Sequence, residues 1–94
     1  MFVLHVDLEV KPGARQALEK IYAETFRPAI SRQAGFSAVA LLRPTEGESN
    51  YLLSLAFDDQ SFQQQWVATD IHQQVWPQME QHCARYSLKR YNTV

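Results

Sequence analysis

Residues 36–57 read FSAVALLRPTEGESNYLLSLAF, two apolar runs separated by a polar stretch that holds the turn formers Pro44 and Gly47. Short runs rich in β-branched, aliphatic and aromatic residues, bounded by turn residues, form strands, and a medium connection between two of them makes a β-hairpin. Neither run alternates apolar with polar. In the second, Tyr51, Leu53, Leu55 and Phe57 fall on one face, while Leu52 and Ala56 flank Ser54 on the other. A strand that is apolar on both faces is usually covered on both.

Upstream, FVLHVDLEV (2–10) alternates cleanly, with Phe2, Leu4, Val6, Leu8 and Val10 on one side and His5, Asp7 and Glu9 on the other. That is the period of a strand with one buried face. KPG (11–13) ends it. Ala14, Leu18, Ile21, Tyr22, Thr25, Phe26 and Ala29 then recur at helical spacing, opposite Arg15, Gln16, Glu19, Lys20, Glu24 and Arg27. Pro28 lacks an N–H and is expected to kink or end this helix near Phe26, and Gly35 is expected to act as its stop.

Downstream, DDQSFQQQWVA (58–68) opens a second helix, with Asp58 or Asp59 as N-cap and Ser61 and Gln64 at capping-box spacing. The glutamines at 63–65 read as a solvated helix face. Thr69–Asp70 resembles a fresh cap, so the helix is expected to break and restart there. Beyond it Ile71, Val75, Met79 and Cys83 form an apolar stripe with Pro77 inside it, and RYSLKRYNTV (85–94) closes the chain as a last strand.

The order is β-α-β-β-α-β, which predicts a ferredoxin-like α+β fold, a four-stranded antiparallel sheet with the helices on one face. Residues 1–94 are expected to form a single domain. The two-faced hairpin strands predict that a second copy covers the helix-free face, giving a homodimer.

Composition narrows the function. A net charge of -1 with scattered basic residues leaves no field for nucleic acid. No apolar run reaches the roughly 18 residues that a membrane helix needs, so no membrane association is expected and the protein reads as cytoplasmic. Cys83 is the one cysteine, which excludes an intrachain disulfide and a cysteine metal set. His5, Asp7 and Glu9 share a strand face, but alternate residues there are nearly 7 Å apart and diverge too far for a metal site. GxSxG, GxGxxG and P-loop signatures do not occur.

The element order, VKPG at 10–13, GF at 35–36, SLAFDDQ at 54–60 and a tryptophan followed six residues later by histidine resemble the antibiotic biosynthesis monooxygenase (ABM) family. The resemblance spans the chain and implies a dimeric α+β barrel. Its members include cofactor-free oxygenases of phenolic or quinol substrates and haem-degrading oxygenases. In the haem-degrading branch the resemblance implies a site of asparagine, tryptophan and histidine. Here Trp66 matches the tryptophan, but Val6 and Trp76 stand at the other two positions, which disfavours haem degradation.

Within WVATDIHQQVWP (66–77), His72 and Trp76 are four apart on one helical face, and the break at Thr69 can turn Trp66 towards them. An imidazole suits proton transfer or hydrogen bonding to a phenol, and aromatic walls suit a planar substrate. The expected site is therefore His72 as the catalytic group, with Trp66, Trp76, Tyr22, Phe26, Leu4 and Val6 against the substrate. No cofactor and no metal are expected, and the ligand is a small aromatic or hydrophobic molecule. The expected activity is cofactor-independent monooxygenation. The alternative is a non-catalytic small-molecule-binding or accessory dimer of the same fold.

Overall fold

The computed structural model describes residues 1–47 and 50–94. Strands β1 (Phe2–Val10), β2 (Phe36–Leu42), β3 (Tyr51–Phe57) and β4 (Cys83–Asn92) form one antiparallel sheet in the order β2-β3-β1-β4. Helix α1 (Arg15–Ile21), a π-helical turn (Tyr22–Phe26) and α2 (Arg27–Ile30) connect β1 to β2. Helices α3 (Gln60–Ala68) and α4 (Asp70–Glu80) connect β3 to β4. The helices cover one face, and the fold is ferredoxin-like α+β. In the hairpin, β3 is interior and β2 forms an edge; Glu48 and Ser49 of the connecting loop lie outside the described residues.

Register builds the core. Leu4 pairs with Leu55, Val6 with Leu53 and Leu8 with Tyr51, so alternate residues of the two central strands share the helix-covered face. Leu18, Tyr22, Phe26 and Ile30 descend on them at four-residue spacing, joined by Trp66, Val75 and Met79. Each such burial stabilises the fold by about 1.5–3 kcal/mol. A carboxylate ties α1 to the hairpin. Glu19 accepts from Arg43 Nε at 2.9 Å and from the buried Tyr51 hydroxyl, and these bonds hold its pKa at about 2.

On the helix-free face the register puts Ala38, Ala40 and Leu42 of β2 beside Ala56, Ser54 and Leu52 of β3. That half is apolar, and Leu42 is 49% exposed. The β1–β4 half is polar. His5 packs against Tyr91, Asp7 accepts from Asn50, and Glu9 pairs with Arg85.

Several local expectations are corrected. The first helix does not end near Phe26 but continues to Ile30. The π-helical turn bonds Arg27 N–H to Tyr22 O, and Pro28 falls in the first turn of α2, where no donor is needed. Gly35 is not that helix's stop. It has φ +73° in the following loop, and a Cβ there would overlap the Phe62 ring. The N-cap of α3 is Asp59, which accepts from Ser61 N–H, so Ser61 lies inside the helix and heads no capping box. Ile71 is exposed, leaving Val75, Met79 and Cys83 as the buried stripe. Pro77 is interior to α4.

Candidate active site

The site is organised by the break between α3 and α4. Thr69 has extended backbone (φ -75°, ψ 152°) and serves as C-cap of α3 and N-cap of α4 at once. Its hydroxyl donates to Trp66 O at 2.7 Å and accepts from His72 N–H at 3.2 Å. One side chain thereby fixes the tryptophan that ends one helix against the histidine that begins the next. The two rings meet edge to face, 5.0 Å between centroids at 87°. Phe26, set by the π-helical turn, packs edge-on to the other side of Trp66 at 6.0 Å.

Between these helices and the sheet lies a cavity of about 280 Å³. Its floor is Leu4, Val6, Leu53 and Leu55 of β1 and β3. Phe26, Gln63, Trp66 and Val67 form one wall, and His72 and Trp76 of α4 form another. Tyr86 and Leu88 of edge strand β4 complete it and are themselves 40% and 46% exposed, which marks the mouth. Trp76 meets Tyr86 edge to face at 5.1 Å, making an aromatic rim. The volume is at the small end of the roughly 300–1,000 Å³ typical of ligand pockets.

His72 is partly buried, and burial lowers its pKa below the ordinary imidazole value. Its Nδ1 is sealed from solvent without a hydrogen-bond partner. An imidazolium would place an unpaired N–H there, beside the positive end of α4. Burial therefore favours the neutral ring.

Six of the residues singled out from sequence, Leu4, Val6, Phe26, Trp66, His72 and Trp76, line this one cavity. Tyr22 does not. Its ring stacks on Phe26 at 6.3 Å, and Arg27 lies over it at 5.7 Å, so it braces the wall from behind. Leu53, Leu55, Val67, Tyr86 and Leu88 escaped sequence reasoning. Strand pairing was the signal for four of them, since Leu53 and Leu88 flank Val6, and Leu55 and Tyr86 lie opposite Leu4 and Leu8. Gln63 is the larger correction. It is not part of a solvated face but 8% exposed, because it sits three residues before Trp66 and four before Val67 on the cavity side of α3. Among the described residues no group of three His, Cys, Asp or Glu side chains converges to hold a metal ion, and no helix is long and apolar enough to cross a membrane.

A ferredoxin-like sheet with an open-mouthed, largely apolar pocket beneath its helices suits a small-molecule domain, and comparison narrows it further. The sequence model for antibiotic biosynthesis monooxygenase matches residues 1–77. The chain belongs to that family. β4, beyond the matched part, belongs to the same sheet. Among curated protein sequences none matches.

Three solved structures illustrate the likeness. A protein from Caulobacter crescentus CB15 assigned to antibiotic biosynthesis monooxygenases is 16% identical with a TM-score of 0.86, covering 99% of this chain and 89% of its own. SnoaB from Streptomyces nogalater, a cofactor-independent oxygenase, is 15% identical with a TM-score of 0.85, covering 98% and 91%. A haem-degrading protein from Mycobacterium tuberculosis is 26% identical with a TM-score of 0.74, covering 100% and 95%. The structure nearer in sequence is thus the more distant in shape.

Proposed function

We propose that this chain, with residues 1–94 as one domain, is a cofactor-independent monooxygenase of a small aromatic or quinol-like molecule, with one pocket in each subunit of a homodimer. The observation that carries this reading is the largely apolar cavity with Trp66, Trp76 and His72 in its walls. Family membership and the likeness to SnoaB support the reaction type. A phenol or hydroquinone hydrogen-bonded at its oxygen is electron-rich enough to meet dioxygen directly. In balance, a ring CH₂ of the keto tautomer becomes C=O, and the second oxygen leaves as water with both hydrogens. The substrate supplies every electron.

The chain's part is to bind, orient and exclude water. Trp66 and Trp76 flank the ring, Phe26, Leu4 and Val6 form apolar contacts, and Tyr22 acts through Phe26. Of the two roles open to His72, base or hydrogen-bond partner, its environment favours the second, because nothing stabilises the cation that proton abstraction would create. The same observation favours a second reading, a non-catalytic binding protein. Haem degradation is not supported, since Val6 and Trp76 stand where the family resemblance implies asparagine and histidine.

Oxygen uptake by metal-free protein with a panel of quinols and hydroxyaromatics tests the reaction. Turnover is expected, reduced at least tenfold in His72→Ala. Binding without uptake would leave the second reading. Haemin should give no stoichiometric Soret shift. The apolar helix-free half of the sheet supports the dimer, and light scattering at micromolar concentration should return twice the chain mass.

A further inference from the structure

Gln63 stands apart in this cavity. It is the one polar or charged residue buried in the core among the described residues, at 8% exposure. It lines the cavity with Trp66 and Val67, and its side-chain amide, unlike His72 Nδ1, is not sealed from that space. A ligand that fills the cavity without answering this amide would leave it unpaired, which is unfavourable by roughly 1–3 kcal/mol. The rest of the lining is apolar apart from the two indoles, the His72 imidazole and the Tyr86 hydroxyl. Nothing in the fold uses this amide. It caps no helix and joins no ion pair, whereas Asp59 and Thr69 already cap both ends of α3.

We infer that Gln63 is the specificity-determining residue of the pocket, reading a hydroxyl or carbonyl oxygen on an otherwise apolar ring system. The inference rests on the reading of the cavity as an aromatic pocket and adds what the ligand must carry. A carboxamide suits this task because it can turn. Its Oε1 accepts from a ligand hydroxyl, and its Nε2 donates to a ligand carbonyl. The same side chain therefore holds a phenol or a quinone, the two oxidation levels that an oxygenated aromatic passes between. A carboxylate would reject the carbonyl form, and an aliphatic residue would prefer the bare hydrocarbon. The oxygen is selected against largely apolar walls, where an unmatched hydroxyl that enters also loses its water.

The test is a pair of probes that differ by one oxygen, naphthalene and 1-naphthol, titrated by NMR chemical shift into the native chain and into Gln63→Leu. The native chain should bind 1-naphthol roughly tenfold more tightly than naphthalene, the effect of one buried hydrogen bond. Gln63→Leu should bind naphthalene at least as well as the native chain does, which also shows it folded, and should level or invert the preference. Both probes binding with the same preference in the two proteins would overturn the role of Gln63 and leave the aromatic pocket standing. Neither probe binding the native chain would remove the aromatic pocket and this inference together. Absence of oxygen uptake would bear on the reaction alone.

Discussion

Thr69→Val is the sharpest test of how the pocket is assembled. Valine matches threonine in shape and prefers the extended backbone found at this position (φ -75°, ψ 152°), so the change removes little but the hydroxyl. Two hydrogen bonds are lost. The N-cap bond from His72 N–H contributes about 1 kcal/mol. The bond to Trp66 O contributes less, about 0.5 kcal/mol, because the Thr69 backbone N–H also donates to that carbonyl at 3.1 Å and keeps it satisfied. The sum, about 1.5 kcal/mol, lowers a urea midpoint by about 1 M at a slope near 1.5 kcal/mol/M, and lowers Tm by about 6–12 °C. Thr69→Ser keeps the hydroxyl and should stay within about 0.5 kcal/mol of the native chain. Urea unfolding followed by far-ultraviolet circular dichroism measures both. A native midpoint in Thr69→Val, or equal losses in the two variants, would refute the assignment of Thr69 as the joint between the tryptophan and the histidine.

The remaining predictions concern charge and close packing. Because the folded-state pKa of His72 lies below its unfolded value near 6.5, its contribution to stability is complete above that pH and is lost as pH falls through 6.5 towards the folded pKa; His72→Phe, which keeps a ring against Trp66, should flatten the dependence of Tm on pH in that window. Glu19 responds in the same direction at lower pH: with its pKa lowered from 4.5 to about 2, its contribution is present above pH 4.5 and is lost between there and pH 2. Glu19→Gln should cost about 1–2 kcal/mol at pH 7 by chemical denaturation, the solvent-discounted worth of its charge-assisted bonds, with the difference shrinking over that range. Gly35→Ala should cost roughly 2–5 kcal/mol, combining left-handed backbone strain with overlap on Phe62. The loss should be smaller when Phe62→Ala is made first, as a double-mutant cycle would show.

Periodicity was enough for the architecture because each element carries its burial face in its own spacing. The alternation of residues 2–10 and the four-residue rhythm of Leu18, Tyr22 and Phe26 are local properties, and the structure keeps both. The restart at Thr69 was equally legible, since a cap is a short-range hydrogen bond between a side chain and the backbone three residues on. Where local chemistry has two solutions, sequence leaves both open, as with the kink or the end expected at Pro28. A proline near the end of a helix usually stops it, but a π-helical turn before Pro28 removes the need for its missing donor, and that turn is visible only in the backbone.

The sequence by itself therefore determined the order of elements, the faces they bury and the aromatic cluster around His72. Tertiary structure alone decided which of those residues share an empty space. Tyr22 and Phe26 are alike in spacing, yet Phe26 reaches the cavity and Tyr22 lies behind it. Tyr86 and Leu88 enter through strand pairing with β1, at long sequence separation. Gln63 looks like its exposed neighbours Gln64 and Gln65 and is buried only because α3 docks with that side towards the sheet. A cavity is the volume that packing fails to fill, so it belongs to the arrangement of elements and to none of them singly.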